Sequence, residues 1–184
     1  MKVAGLLLAA GRSSRFGEAD KLATPLRGMP LALHAARTLA SVSLHTRIVV
    51  TGVAGSARLP WPAFEIVENM QPEAGVSHSI ALGLAAVRRA GADAVLVALA
   101  DMPFVPHAHF CHLLDSYRGS NCIVASSNGL QRSPPALFGD AWFAALEQLT
   151  GDKGARELLA GAQTVELDAH YLLDIDCADD LPTD

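Results

Sequence analysis

Val3-Ala4-Gly5-Leu6-Leu7-Leu8-Ala9, continued by Ala10-Gly11-Arg12-Ser13-Ser14-Arg15-Phe16-Gly17 and then by Lys21, is the stretch on which the architecture turns. Its first seven residues form a short apolar run of the kind that is buried on both faces in a parallel sheet. Small residues at 9, 10, 11, 13 and 14, directly after that strand, allow backbone N–H groups to approach phosphate oxygens with no side chain in the way. Arg15 and Lys21 bring positive charge to the same place. The GxxxxGK[ST] spacing of a Walker A loop is absent, and so is the GxGxxG dinucleotide fingerprint. An ordinary strand-to-helix turn edged with surface arginines has a similar composition, so the loop by itself leaves both readings open.

Working outward, Pro30 sits at a first helical turn, and Leu31, Leu33, Ala36, Leu39 and Ala40 carry apolar positions through residue 41. Residues 47–51, with Ile48, Val49 and Val50, read as a second strand and 64–67 as a third, separated by a loop rich in Gly and Pro. A helix is expected over 77–90, where Ile80, Leu82, Leu84, Ala85 and Val87 precede the stop signal Gly91. Residues 94–98 follow as the central strand and end at Asp101-Met102-Pro103. Helix over 106–117 and strands at 122–125 and 136–138 come next, the last after Pro134-Pro135. Short helices are expected at about 141–149 and 153–159. The alternation of strand and helix through residue 125 predicts an α/β fold built from βαβ units around a largely parallel sheet. The less regular segment beyond it reads as a lid on the acceptor side or an antiparallel edge. No repeat or long linker divides the 184 residues, so the expectation is one domain over 1–184.

A hydrophobic content of 51% is far from the composition of disordered chains. The formal charge of −5 argues against broad nucleic-acid binding, which needs many cations to displace counterions from phosphates. A small anion is different, since Arg12, Arg15, Lys21 and Arg27 outnumber Glu18 and Asp20 in the first 27 residues. Cys111, Cys122 and Cys177 form no CxxC pair, and an odd number of thiols fits a reducing, cytoplasmic compartment. Met1-Lys2 before the apolar run outlines a short signal peptide. Because that run is at the short limit and Gly11-Arg12-Ser13-Ser14-Arg15 follows directly, a buried strand explains it better. The apolar stretch 81–99 is interrupted by Arg88, Arg89 and Asp93, which excludes it as a membrane span.

Asp101 follows the central strand, at the edge where open α/β sheets bind ligands. There it either caps a turn or binds Mg²⁺ through one oxygen while the ion bridges triphosphate oxygens. In Leu173-Asp174-Ile175-Asp176 two carboxylates fall on one face of an extended segment, as a second metal ligand or as part of a solvated acidic end. His107, His109 and His112 lack a fourth ligand at zinc spacing and read as solvated helix histidines. Trp142 and Phe143, among Ala141, Ala144, Ala145 and Leu146, read as packing residues of an amphipathic helix.

Taken together these pieces resemble the MobA-like nucleotidyltransferases, and within them the molybdenum cofactor cytidylyltransferases. The resemblance runs from Leu8 to Leu181. It is carried by the LAAGRSSRFG…K loop, Val50-Thr51-Gly52, Glu68-Asn69, Gly75-Val76-Ser77-His78-Ser79 and Ala100-Asp101-Met102-Pro103. Ser133-Pro134-Pro135-Ala136-Leu137-Phe138-Gly139, Gly151-Asp152-Lys153-Gly154-Ala155-Arg156 and Leu173-Asp174-Ile175-Asp176 with Asp179-Asp180-Leu181 complete it.

The resemblance implies a Rossmann-like three-layer α/β/α fold with a mostly parallel sheet, of the nucleotide-diphospho-sugar transferase type. It implies transfer of CMP from CTP to the terminal phosphate of molybdopterin, with release of pyrophosphate and Mg²⁺ as cofactor. Leu8, Ala9, Ala10, Gly11 and Ser13 would contact the nucleotide, Asn69 and Ser79 would lie near the nucleoside, and Arg15 and Lys21 would hold the phosphates. Lys21, Arg15 and Asp101 are the implied catalytic set, Asp101 and Asp176 the metal ligands, and Ser133, Lys153 and Arg156 the acceptor side. A transient contact with a molybdoenzyme or its chaperone is implied as well. Two positions depart from the family pattern: Ser133-Pro134 replaces Asn-Pro, and Cys177-Ala178 replaces Thr-Pro after Asp176, the final implied metal aspartate. Ala9-Ala10-Gly11 resembles cytidylyl members, since guanylyl members tend to carry glycine in place of the second alanine. The rival readings are GTP as donor, a sugar or alcohol phosphate as acceptor, and a nonenzymatic cofactor carrier or chaperone.

Overall fold

All seven residues of β1 (Val3–Ala9) are buried, and its side chains alternate between two separate cores. Val3, Leu7 and Ala9 face one core, whereas Ala4, Leu6 and Leu8 face the other, the period-two pattern of a strand covered on both sides. The computed structural model describes residues 1–11, 20–53, 55–151, 154–177 and 180.

After β1, a 3-10 turn at Lys21–Ala23 leads into a small hairpin of β2 (Pro25–Leu26) and β3 (Met29–Pro30), then α1 (Leu31–Ser41) and β4 (Thr46–Thr51). A 3-10 turn at Gly55–Arg58 precedes β5 (Glu65–Glu68), α2 (Val76–Arg89), β6 (Ala94–Leu99) and α3 (His107–Asp115). The remainder comprises β7 (Ile123–Ser127), β8 (Arg132–Gly139), α4 (Phe143–Glu147), a 3-10 turn at Leu158–Gly161, β9 (Gln163–Glu166) and a 3-10 turn at Ala169–Leu172.

Seven strands form one sheet in the order β5-β4-β1-β6-β8-β7-β9. All its pairings are parallel except those of β8 with β6 and β7. α1 and α3 fill one core through Leu31, Leu39, Phe110 and Leu113. α2 and α4 fill the other through Ile80, Leu84, Val87, Phe143 and Leu146. The result is the expected three-layer α/β/α architecture, with a mostly parallel sheet between two helical layers. Phe143 is a packing residue, as the sequence pattern implies.

Two elements differ from expectation. The antiparallel strand β8 lies inside the sheet, between β6 and β7, and not at its edge. It also begins earlier than expected and includes Pro134-Pro135. β7 accommodates them with a register shift between Ala125, which faces Ala136, and Ser126, which faces Ser133. Prolines have no N–H to give a ladder, and the irregularity leaves both out of the pairing. The helix expected at 153–159 is absent from its described part: residues 154–157 are turns and the 3-10 turn follows. Gly151 and Gly154, at φ of 70° and 57°, occupy the left-handed region that breaks a right-handed helix.

His109 differs too. It is buried on α3 against β7, its Nε2 lying 2.8 Å from Ser126 Oγ. Ser126 donates its hydroxyl hydrogen to the Pro135 carbonyl at 2.7 Å, so His109 Nε2 carries the proton and donates to Ser126. Burial, followed by the charge of nearby His112, pushes His109 from 6.5 down to about 4. An unfolded chain gains a proton on this residue below about pH 6.5 that the folded chain refuses, so the neutral-histidine contribution to stability is lost as pH falls from 7 toward 4. Because each tenfold difference in proton affinity between the two states is worth roughly 1.4 kcal/mol, the loss is on the order of 3 kcal/mol. Urea unfolding at pH 7.5 and 4.5 should show this drop. His109→Gln, which keeps a donor toward Ser126 and cannot titrate, should show a smaller one.

Candidate active site

β1 is flanked by β4 on one side and β6 on the other, so the crossovers leave it in opposite directions and open a crevice at the carboxyl ends of β1 and β6. Ala100 N–H donates to the Leu8 carbonyl at 3.0 Å, extending the pairing of these strands by one residue. Buried Ala100 and Met102 then anchor the turn that carries Asp101. Asp101 thus stands at the crevice mouth, the place that its position after the central strand predicts.

Lys21 reaches the same point from the 3-10 turn Lys21–Ala23. Its ammonium donates to Asp101 Oδ2 at 2.8 Å and to Asp176 Oδ1 at 3.3 Å. The Lys21 side chain is 9% exposed, whereas those of Asp101 and Asp176 are 24% and 48% exposed. The cation is therefore buried beneath carboxylates that still face outward. Burial opposes the charge on Lys21, but the charges of Asp101 and Asp176 and their hydrogen bonds outweigh it and hold the ammonium above its ordinary pKa. Lys21 is accordingly a fixed positive charge at neutral pH.

Asp176 is brought here by backbone pairing. Ile175, fully buried, donates its N–H to the Asp101 carbonyl at 2.9 Å, which lays the C-terminal segment against the Asp101 turn. Asp180 Oδ2 accepts the N–H groups of Asp176 and Cys177, both at 2.8 Å, and the Cys177 thiol at 3.2 Å. The Cys177 N–H, then that of Asp176, holds the Asp180 carboxyl below its usual range. This turn orients Asp176. The acidic C-terminal run is therefore only partly a solvated end: Asp176 joins the site and Asp180 supports it.

Between the crevice and the start of α2 lies a cavity of about 320 Å³. Lys21, Asp101, Arg156 and the Gly11 backbone form its polar side, and Leu8, Val76, Ile80, Val97, Leu99 and Phe138 its apolar wall. By sequence pattern those apolar residues belong to the core. Only the packing of α2 on the sheet shows that some border a cavity. Pro134 lines it, with Ser133 beside it donating its hydroxyl to the Pro134 carbonyl at 3.0 Å. Ala9 and Ala10 are buried in the two cores and are not among the cavity's lining residues. Asn69 and Ser79 are buried as well and joined to each other, Asn69 Nδ2 donating to Ser79 Oγ at 2.9 Å, while Asn69 Oδ1 accepts the Gln71 N–H at 2.8 Å. They brace the loop between β5 and α2. Ser13, Arg15 and Lys153 lie outside the described residues.

Asp101 and Asp176 turn oxygens toward one cation, Lys21, which shows that their acceptors converge at bonding distance. Among the described residues no group of three or more His, Cys, Asp or Glu could hold a metal ion. Two converging carboxylates suit a hard cation such as Mg²⁺, which binds one or two carboxylates and completes its shell with water and phosphate oxygens. Nor is any helix among the described residues long and apolar enough to cross a membrane.

A family model described as "MobA-like NTP transferase domain" matches residues 5–168. The chain is 32% identical to purine catabolism protein PucB of Bacillus subtilis, over 94% of this chain and 90% of that protein. It is 30% identical to a molybdenum cofactor guanylyltransferase of Cereibacter sphaeroides, over 98% and 94%. The crystal structure of Rv0371c from Mycobacterium tuberculosis superposes with a TM-score of 0.82 at 25% identity, covering 98% of this chain and 96% of the other. A second structure of that protein, in complex with manganese, superposes at 0.77 with the same identity and coverage.

Asn69→Ala would leave the buried Ser79 hydroxyl and the Gln71 N–H without their partner. A loss of about 1–3 kcal/mol is expected, read as a lower midpoint in denaturant unfolding.

Proposed function

The chain belongs to the MobA-like NTP transferase family, hence to the nucleotidyltransferases, and on that premise we propose that it transfers CMP from CTP to the terminal phosphate of a molybdopterin-type acceptor. An acceptor phosphate oxygen attacks the α-phosphorus, the bond between that phosphorus and the oxygen bridging to the β-phosphate breaks, and pyrophosphate leaves. Such transfers need no protein nucleophile. They are accelerated by positioning and by neutralising charge on phosphoryl oxygens. The observation that carries this reading is the meeting of Lys21, Asp101 and Asp176 at the mouth of a cavity bordered by Leu8 and Gly11.

In this reading Lys21, with Arg15, stabilises the phosphates and the departing pyrophosphate. Leu8, Ala9, Ala10, Gly11 and Ser13 form the nucleotide edge, and Asn69 and Ser79 support the nucleoside through the loop they brace. Asp101 and Asp176 would hold Mg²⁺, which supplies charge neutralisation on the triphosphate when bound. The manganese complex of Rv0371c supports a divalent cation. Arg156 lines the same cavity as Lys21 and, in this reading, forms the acceptor side with Ser133 and Lys153. Residues 1–184 work as one transferase domain in a reducing cytoplasm, where free Cys111, Cys122 and Cys177 are stable, and the product passes to a molybdoenzyme or its chaperone.

GTP as donor is the second reading, favoured by relatives that are named guanylyltransferases. Pyrophosphate release measured with CTP and with GTP, each with Mg²⁺ and molybdopterin, separates the two, and CTP is expected to be the faster donor. Tight molybdopterin binding with no dinucleotide formed would instead favour a carrier. Lys21→Ala and Asp101→Ala should each lower turnover by roughly 10²–10³, the scale of one transition-state electrostatic contact. Near-normal turnover in both would remove the proposed mechanism.

A further inference from the structure

The Lys21 ammonium points at Asp101 and Asp176, and the backbone that aims it is secured by the residue before it. Asp20 caps the 3-10 turn: its Oδ1 accepts the Leu22 N–H at 2.9 Å. Its other oxygen, Oδ2, accepts the N–H of Ser56 at 2.7 Å, from the 3-10 turn that follows β4. That second turn is itself pinned, because the Trp61 indole Nε1 donates to the Ser56 carbonyl at 2.9 Å. Ser56 and Trp61 are both buried, at 3% and 9% exposure, and Trp61 is part of the α1-side core. A rigid chain of contacts therefore runs from that core through Trp61, Ser56 and Asp20 to the backbone of Lys21. A lone cap would need only one acceptor oxygen. Here the second oxygen ties the turn to a segment 36 residues away.

We propose that Asp20 is a positioning residue, whose carboxylate, shared between Leu22 and Ser56, holds the turn so that Lys21 meets Asp101 and Asp176. The consequence for catalysis rests on the transferase reading. The aiming of Lys21 does not. The 3-10 turn after β4 is in this view part of the site's frame. Reactive groups displaced by about 1 Å can lose roughly 100-fold in rate, so a turn free to rotate has a large effect even when the fold is intact.

Two variants break the link from opposite ends. Asp20→Asn keeps an acceptor for Leu22 and presents a donor amide to Ser56. Ser56→Pro removes the N–H while leaving Asp20 in place, at the second position of its turn, where proline is tolerated. Ser56→Ala keeps the N–H and serves as the control. Competitive acetylation with acetic anhydride, quantified at Lys21 by peptide mass spectrometry, reports the position of the amine without reference to any reaction. Pyrophosphate release with CTP, Mg²⁺ and molybdopterin reports its use.

Lys21 labelling is expected to rise several-fold in Asp20→Asn and Ser56→Pro and to stay native in Ser56→Ala. In the first two kcat should fall roughly 10- to 100-fold, with KM for CTP changed far less and native circular dichroism retained. Unchanged Lys21 labelling in both folded variants would overturn the proposal. If the native chain releases no pyrophosphate with any nucleotide, the transferase reading fails by itself, and a rise in labelling still supports the aiming role of Asp20.

Discussion

A lysine ammonium buried beneath two carboxylates, drawn from positions 21, 101 and 176, is the contact on which the carboxyl edge of this sheet depends. The three residues come from the 3-10 turn at Lys21–Ala23, the turn after the central strand and the C-terminal segment. Their meeting closes three parts of the chain around one point. Burying a cation is unfavourable unless its partners compensate, and removing one member of such a pair leaves uncompensated charge. The exposure of Asp101 and Asp176 moderates this, since solvent screens charges that remain accessible. The same partial exposure leaves both carboxylates open to solvent at the mouth of the crevice.

Around that contact the fold supplies rigid mounts. The extension of the β1–β6 pairing to Ala100 sets the height of Asp101, and the Ile175–Asp101 backbone bond sets that of Asp176. Asp180 holds the N–H groups of Asp176 and Cys177, and Asp20 caps the 3-10 turn that begins at Lys21. In both cases a carboxylate accepts backbone N–H groups next to a site residue. Such charge-assisted bonds are stronger than neutral ones and hold a short loop without a helix or strand to stiffen it.

Polar groups inside the protein follow the same rule of paired partners. His109, Ser126 and the Pro135 carbonyl form a line of donors and acceptors at the point where β7 shifts register. Asn69 and Ser79 do the same beneath the loop that enters α2. Each seam sits where irregular backbone would otherwise bury unpaired groups, and each lies near the cavity wall built from β8 or α2. The apolar remainder of that wall, Val76, Ile80, Val97 and Phe138 among it, shapes the cavity without offering a hydrogen bond.

The apolar run at 3–9, the small residues after it and the helical periodicity of 77–90 were enough to determine a largely parallel α/β sheet with a loop at its carboxyl edge. Strand and helix periods are local, and so is the placement of Asp101 after the central strand. Tertiary structure alone decided that Asp176 turns to Lys21, that Asp20 reaches Ser56, that β8 inserts between β6 and β7, and that His109 is buried. Each of these depends on partners distant in the chain, and no spacing between neighbouring residues encodes which of them will meet. Ser13, expected to contact the nucleotide, and Arg15, expected to hold its phosphates, belong to the reading of the sequence, whereas the convergence of Lys21, Asp101 and Asp176 belongs to the fold.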